Sequence, residues 1–268
     1  MTDALPELKR LEAVLADLPP LAIAVSGGVD SMTLASVAHR AAPGVHLMIH
    51  AVSPAVPSGA ESLIEQHAAA EGWSLRLIDA GEQDDPAYRA NPVNRCYFCK
   101  ANLYGTMRAA TDRLLASGTN LDDLSDHRPG LLAAGEHDVV HPFVVADIGK
   151  AGIRAIARHF GFEAFAELPA QPCLASRIET GIPIALRDLS FIDRAERTLR
   201  ARLGAGETLR VRVRHSGVQL EIGRALAADE MADVMTAMVE LCTAEDRLFS
   251  GIAAYRTGSA FLRAEAAE

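Results

Sequence analysis

The sequence is short of the residues that would mark it as secreted, membrane-bound or wrapped on a polyanion. Its 268 residues include four cysteines, one tryptophan and 5% aromatics. Four cysteines are too few for a disulfide-stapled scaffold, and in a reducing compartment paired thiols serve metal binding or catalysis. No apolar run approaches membrane-spanning length. The opening M-T-D-A-L-P-E-L-K-R mixes acidic and basic groups on an amphipathic pattern, unlike the cationic and apolar segments of a signal peptide. The expectation is a cytoplasmic protein with no membrane partner. Basic residues are also in deficit, 26 against 35 acidic, giving a net charge of −9. That balance makes nucleic acid an unlikely partner, although local basic pockets remain open.

What is present is ordinary globular usage, 49% hydrophobic and 23% charged, in a chain long enough for a main domain and a smaller second one. L-A-I-A-V-S (21–26) is an apolar run ending at a glycine pair, and S-M-T-L-A-S-V-A-H-R continues with helical spacing. V-H-L-M-I-H-A-V (45–52) reads as a buried strand, residues 58–71 as a helix and S-L-R-L-I-D-A (74–80) as a third strand. Such alternation predicts an α/β fold whose parallel sheet is covered by helices on both faces. A helix is expected from Cys96 to about Leu115, and another over Ile148–Phe160. Residues 169–183, rich in proline and small side chains, read as a linker carrying Cys173. Beyond it, a helix (Leu186–Leu203), strands L-R-V-R-V-R-H and V-Q-L-E-I around a turn near Ser216-Gly217, and a helix from about Asp229 predict a small α+β unit.

Ser26-Gly27-Gly28-Val29-Asp30-Ser31 lies at the strand-to-helix turn, where backbone N–H groups converge and the helix dipole favours an anion. Two glycines let the main chain approach phosphates without side-chain clash. The stretch is neither a Walker loop, which needs a following lysine, nor a G-x-G-x-x-G fingerprint. The lesser alternative is a glycine turn capped by Ser26 and Asp30. Cys96 and Cys99, in N-R-C-Y-F-C-K, can hold zinc, cycle as a dithiol or bind a cluster. Zinc would want a fourth ligand that no neighbouring histidine supplies. Cys173 stands beside Ser176 and Arg177 in P-C-L-A-S-R-I. Cys242, on an apolar helix, reads as core. His137 and His141 lack the H-E-x-x-H order and read as an unremarkable polar segment. Arg210, Arg212 and Arg214 alternate along one strand and face one side, which suits a solvated edge as well as a binding surface.

S-G-G-V-D-S resembles the signature of the PP-loop ATP pyrophosphatases, which cleave ATP between the α and β phosphates and transfer AMP to a substrate oxygen. With N-P-V-N-R-C-Y-F-C-K, G-T-N-L-D-D, P-C-L-A-S-R-I and R-V-R-V-R-H in that order, the chain resembles the LarE family of ATP-dependent sulfur transferases. Members of that family turn carboxylates of pyridinium-3,5-biscarboxylic acid mononucleotide into thiocarboxylates for the nickel-pincer cofactor of lactate racemase. The resemblance implies a PP-loop (HUP-type) domain over residues 1–168. Residues 169–268 would supply the linker with Cys173 and a small α+β substrate domain.

On the same resemblance, Ser26, Gly27, Gly28, Asp30 and Ser31, with Gly118, hold the pyrophosphate portion of ATP. Asp123 is the magnesium contact, with Asp122 its rival. Lys100 and Arg177 are candidates for phosphate or adenylate contacts. Arg210 and Arg212, with Glu196 and Glu221, are candidates for the substrate's phosphate or a metal. Three cysteines, Cys96, Cys99 and Cys173, match members that hold a [4Fe-4S] cluster whose open iron carries an extra sulfide. Single-cysteine members instead sacrifice the cysteine matching Cys173. The resemblance further implies a homo-oligomer working with other enzymes of nickel-pincer synthesis. A tRNA thiolation enzyme, an ammonia-dependent synthetase and a non-catalytic ATP sensor are the competing expectations.

Overall fold

The structure is a computed structural model that describes residues 5–124, 129–168, 172–204 and 206–256. Ser125–Arg128 of the D-D motif's tail and Pro169–Gln171 of the expected linker lie outside the described residues. The chain divides into two compact units, residues 1–85 with 94–171, and residues 86–93 with 172–268.

The first unit is built on four parallel strands, β1 (Leu21–Ala24), β2 (Leu47–Val52), β3 (Leu75–Asp79) and β4 (Leu114–Ala116), in the spatial order β3-β2-β1-β4. Helices α1 (Leu5–Ala16), α2 (Val29–Ala41), α3 (Ser58–Glu71), α4 (Arg95–Ala110), α5 (Pro129–Glu136) and α6 (Lys150–His159) cover it. The pleat sends successive side chains to opposite faces. Leu21, Ile23 and Met48 join one core with α1, α2, α3 and α6. Ala22, Leu47, Ile49 and Leu115 join the other, with Tyr104 and Met107 of α4 and Ala133 and Ala134 of α5. Burial on both faces is why β1 and β2 read as continuous apolar runs rather than alternating ones.

The helix expected from Cys96 to about Leu115 ends earlier, at Ala110, and Leu114–Ala116 is strand β4. Three residues are too short for a periodicity signal, and their pairing with β1 (Leu21↔Leu114, Ile23↔Ala116) is a long-range contact that decides the matter. This strand has a consequence for the site. Connections β1 to β2 to β3 step outward on one side, whereas β4 lies on the other side of β1. The order therefore reverses between β1 and β4, and ligands of open parallel sheets bind beyond the carboxyl ends at such a reversal.

The second unit contains α7 (Leu186–Leu203), β5 (Leu209–Arg214), β6 (Gly217–Ile222), α8 (Ala228–Thr243) and β7 (Phe249–Ala254), with sheet order β5-β6-β7. β5 and β6 form an antiparallel hairpin, and α8 is the crossover that makes β6 and β7 parallel. Gly217 opens β6 at φ +113°, and a Cβ there would meet the Leu248 carbonyl at 2.6 Å. β7 carries no alternating pattern and is identified only by its pairing. Residues 86–93 are stitched into this unit by Asn91, which is buried at φ +53°. Its Nδ2 donates to the carbonyls of Glu179 and Ile182, both at 2.9 Å, and its own carbonyl accepts the Gly181 N–H at 3.0 Å.

Candidate functional site

The loop after β1 is shaped by two serines and two glycines. Val25 continues the strand by donating to the Ile49 carbonyl at 2.8 Å, and then the chain turns away. Gly27 sits at φ +79°, and a Cβ added there would lie 3.2 Å from Ala60 Cβ on α3. Gly28 is extended and caps α2. Ser31 Oγ accepts the Ser26 N–H at 3.0 Å, donates to the Gly28 carbonyl at 3.2 Å and lies 3.2 Å from Ser26 Oγ. Both ends of the turn are thus fixed by one hydroxyl at the amino end of α2, whose first-turn N–H groups have no intrahelical acceptors.

The loop after β4 closes on this turn from the other side of the reversal. A Cβ on Gly118 would lie 2.7 Å from the Ser31 nitrogen and 2.9 Å from the Asp30 carbonyl carbon, so only glycine permits this approach. Five residues on, Asp123 Oδ2 accepts the Asn120 backbone N–H at 3.2 Å and its Nδ2 at 3.1 Å. Asp122 turns elsewhere: its Oδ2 accepts the backbone N–H of Lys150, the first residue of α6, across Gly149. Lys150 extends its ammonium to Asp30. Burial pushes the Asp30 carboxyl above its ordinary value; Lys150 opposes that, and the negative charge of Asp123 adds to it. Asp30 Oδ1 is buried with no hydrogen-bond partner.

These facts separate the two acidic candidates. Asp122 is engaged in holding the start of α6. Asp123 and Asp30 are carboxylates near enough to repel, Lys150 offsets that charge at Asp30 Oδ2 alone, and Oδ1 keeps no partner, so the pair can accept a further cation. A carboxylate cannot itself hold pyrophosphate, so the chemistry of Asp30 fits a magnesium ligand better than a direct phosphate contact. One or two carboxylates with phosphate oxygens are the usual magnesium environment.

Cys96 and Cys99 stand one turn apart near the start of α4, which places both on one face. Neither is in a disulfide, and both are partly exposed. Arg95 beside them is buried. Lys100 lies over the Tyr104 ring, 5.7 Å from its centroid. Gly130 on α5 allows the close packing here, since a Cβ would come within 3.0 Å of Lys100 Cγ.

In the second unit, Cys173 is free and partly exposed, and it precedes a single buried turn, Leu174–Arg177. Arg177 is the strut of that turn. Its Nε and Nη2 donate to Glu196 at 2.9 and 3.1 Å, while Nη1 reaches the Cys173 carbonyl at 3.2 Å and Ser176 Oγ at 3.1 Å. Arg212 bolts the turn to β5 through the Ser176 carbonyl at 2.8 Å and pairs with Glu221, which also receives Arg214 at 2.8 Å. Glu196 further accepts from Arg200 at 2.9 Å and from the Val211 N–H at 3.1 Å.

The solvated-edge reading of the arginine strand does not hold for Arg210 and Arg212, which are both buried. Burial, and then the neighbouring charge of Arg177, push the Arg210 guanidinium down to about 10. Burial alone would raise the Glu196 carboxyl, but Arg177 and Arg200 outweigh it and hold the group below its ordinary value. Glu196 and Glu221 are therefore counterions to arginines, an arrangement that leaves their oxygens poorly suited to a metal.

No protein-family model matches the chain. It is 37% identical over 222 residues to the uncharacterized protein slr1717 of Synechocystis sp., a match covering 81% of each chain. The chain belongs to that protein's family. The chain is similar, at 28% identity over 182 residues, to the uncharacterized protein MJ0830 of Methanocaldococcus jannaschii, covering 66% of this chain and 68% of that one. The chain is also 27% identical over 229 residues to the pyridinium-3,5-bisthiocarboxylic acid mononucleotide synthase of Lactiplantibacillus plantarum, across 82% of this chain and 80% of the synthase.

Two residues at the reversal were not evident from the sequence. Lys150 is a lone lysine 120 residues from Asp30, and no local motif announces it. His141, read as unremarkable, places Nδ1 2.9 Å from Ser117 Oγ at the end of β4. Among the described residues, no three His, Cys, Asp or Glu side chains gather as a metal-holding group, and no helix is long and apolar enough to cross a membrane.

Proposed function

We propose that this protein is an ATP-dependent sulfur transferase that adenylates a carboxylate of pyridinium-3,5-biscarboxylic acid mononucleotide and converts it to a thiocarboxylate. The observation that carries the reading is the loop pair at the sheet's reversal, Ser26–Ser31 against Gly118, in a chain with a relative named as the synthase of the bisthiocarboxylic acid mononucleotide. A carboxylate is a poor electrophile. Joining it to AMP supplies a leaving group: the carboxylate oxygen attacks the α-phosphorus, pyrophosphate departs, and a sulfur nucleophile then displaces AMP from the acyl carbon.

The residues of this chain divide those tasks. The α2 amino end and the Ser26–Ser31 turn bind and orient the departing pyrophosphate, and Lys150 supplies the positive side chain that a Walker lysine would provide. Asp30 and Asp123 would hold magnesium, which when bound would neutralise charge developing on the phosphates. Sulfur delivery falls to thiols of both units, Cys96 and Cys99 on α4 and Cys173 before the Leu174–Arg177 turn; on the family resemblance they would be ligands of a [4Fe-4S] cluster, which when bound would leave one iron free to carry sulfide. Arg177 and Arg212 fix the turn after Cys173 so that its thiol stays at the surface.

Incubation with ATP, magnesium and the dicarboxylate mononucleotide tests the reading. Mass spectrometry should find oxygen replaced by sulfur in the mononucleotide, with release of AMP and pyrophosphate. Anaerobically reconstituted protein should show broad absorbance near about 400 nm that is lost in Cys96→Ala. A colourless protein whose Cys173 loses the mass of hydrogen sulfide after one turnover would replace the cluster with the sacrificial route. Amide formation from ammonia, or thiolation of tRNA, would overturn the substrate assignment.

A further inference from the structure

Gly118 can press against the phosphate turn only if its own loop is held rigidly, and the structure shows what holds it. Ser117 Oγ lies 3.0 Å from Thr119 Oγ1 and accepts the Thr119 N–H at 3.4 Å, closing a small ring around Gly118. The third partner of that hydroxyl is His141 Nδ1, at 2.9 Å. His141 is in turn fixed by its neighbour. Val140 bridges to β4 as an extra parallel partner of Ala116, donating to the Leu115 carbonyl at 2.9 Å and accepting the Ser117 N–H at 3.1 Å. His141 then caps the short turn Pro142–Val145. The imidazole thus anchors the hydroxyl that ties both sides of Gly118, and Gly118 abuts the backbone of Asp30 and Ser31.

We propose that His141 is a positioning residue for the nucleotide, acting through Ser117 and Gly118 to set the amino end of α2 for phosphate. The inference rests on the ATP-binding reading above. Removing the imidazole leaves a buried hydroxyl with one fewer partner and lets the Gly118 loop drift from the α2 backbone, so the first-turn N–H groups lose their fixed spacing. The loss falls on nucleotide affinity. The fold is buried elsewhere, in the cores on the two faces of the sheet.

The test uses full-length protein with magnesium and α,β-methylene-ATP, titrated by calorimetry. His141→Leu should weaken binding by about tenfold, the scale of one well-made hydrogen bond, with the melting temperature unchanged. His141→Asn places an amide group where Nδ1 lies and should recover affinity to within about threefold of the unsubstituted protein. Ser117→Ala should match His141→Leu, and the double variant should lose no more than either single one. In pyrophosphate release, the KM for ATP should rise while kcat holds. Unsubstituted protein that binds the analogue, with His141→Leu and Ser117→Ala binding equally well, overturns the positioning role. Unsubstituted protein that does not bind the analogue overturns the ATP reading itself, and the role with it. If His141→Leu does not fold, Ser117→Ala carries the same comparison.

Discussion

Lys150 reaches across 120 residues of sequence to place its ammonium on Asp30, while its backbone N–H is taken by Asp122. One residue at the start of α6 is thereby joined to both loops of the reversal. The pair is partly exposed, with about a third of the Lys150 side chain open to solvent, so its contribution to stability is under about 1 kcal/mol. Its importance lies in what replaces Asp30 when an anion arrives.

Lys150→Met should weaken magnesium–ATP binding roughly 10- to 100-fold, the scale of a lost charge-assisted hydrogen bond. The melting temperature should scarcely move. Calorimetric titration beside a thermal melt checks both. Undiminished affinity would remove Lys150 from the phosphate site.

Glu196 sits among Arg177, Arg200 and the nearby Arg210 at 1% exposure. Removing its charge strands buried cations. Glu196→Ala should cost about 3–5 kcal/mol in chemical denaturation, and Glu196→Gln less, because the amide oxygen still accepts. Both should loosen the turn that Arg177 holds at Cys173. Alkylation of Cys173 by iodoacetamide, followed by mass spectrometry, should therefore run faster in Glu196→Gln. An unchanged rate would show that Arg177 does not govern presentation of the thiol.

His67 is enclosed edge-on by Trp73, Phe162 and Phe165, with ring centroids 5.0, 5.1 and 5.0 Å away, and its Nε2 lies 2.9 Å from Ser36 Oγ. Burial holds its imidazole below the ordinary value of 6.5, and burial does the same to His46 and His141. A depressed folded value means that the unfolded chain takes up protons first as acid is added. Stability is then complete above 6.5 and falls as pH drops from there toward the folded values. Melting temperatures between about pH 5 and pH 7.5 should trace this decline. His67→Phe should flatten the slope without abolishing it, since His46 and His141 remain; an unaltered slope would assign the acid sensitivity elsewhere.

Much of the architecture could be read from local pattern. Continuous apolar runs gave β1 and β2, the short run L-R-L-I-D gave β3, and 3.6-residue spacing gave α2, α3 and α7. β4 and β7 escaped. Each is short, lacks alternation and exists through pairing with a distant strand. The phosphate turn was visible in S-G-G-V-D-S because glycine and serine needs are local there. Gly118 was named only by resemblance, and its physical reason, contact with the α2 backbone, appears in three dimensions alone. The arginine strand showed one face but not its medium: Arg210 and Arg212 are buried because Glu196 and Glu221 reach them from other elements.

The sequence by itself determined the α/β class, the glycine-serine turn after β1 and the presence of three cysteines in two motifs, since each depends on residues within a few positions of one another. The tertiary structure alone decided that β4 reverses the strand order and that Lys150 and His141 meet Asp30 and Ser117 at that reversal. It alone showed Arg177 as the brace of the Cys173 turn. Those relations join residues far apart in the chain, and only packing, which excludes water and leaves buried polar groups to find each other, fixes which of them meet.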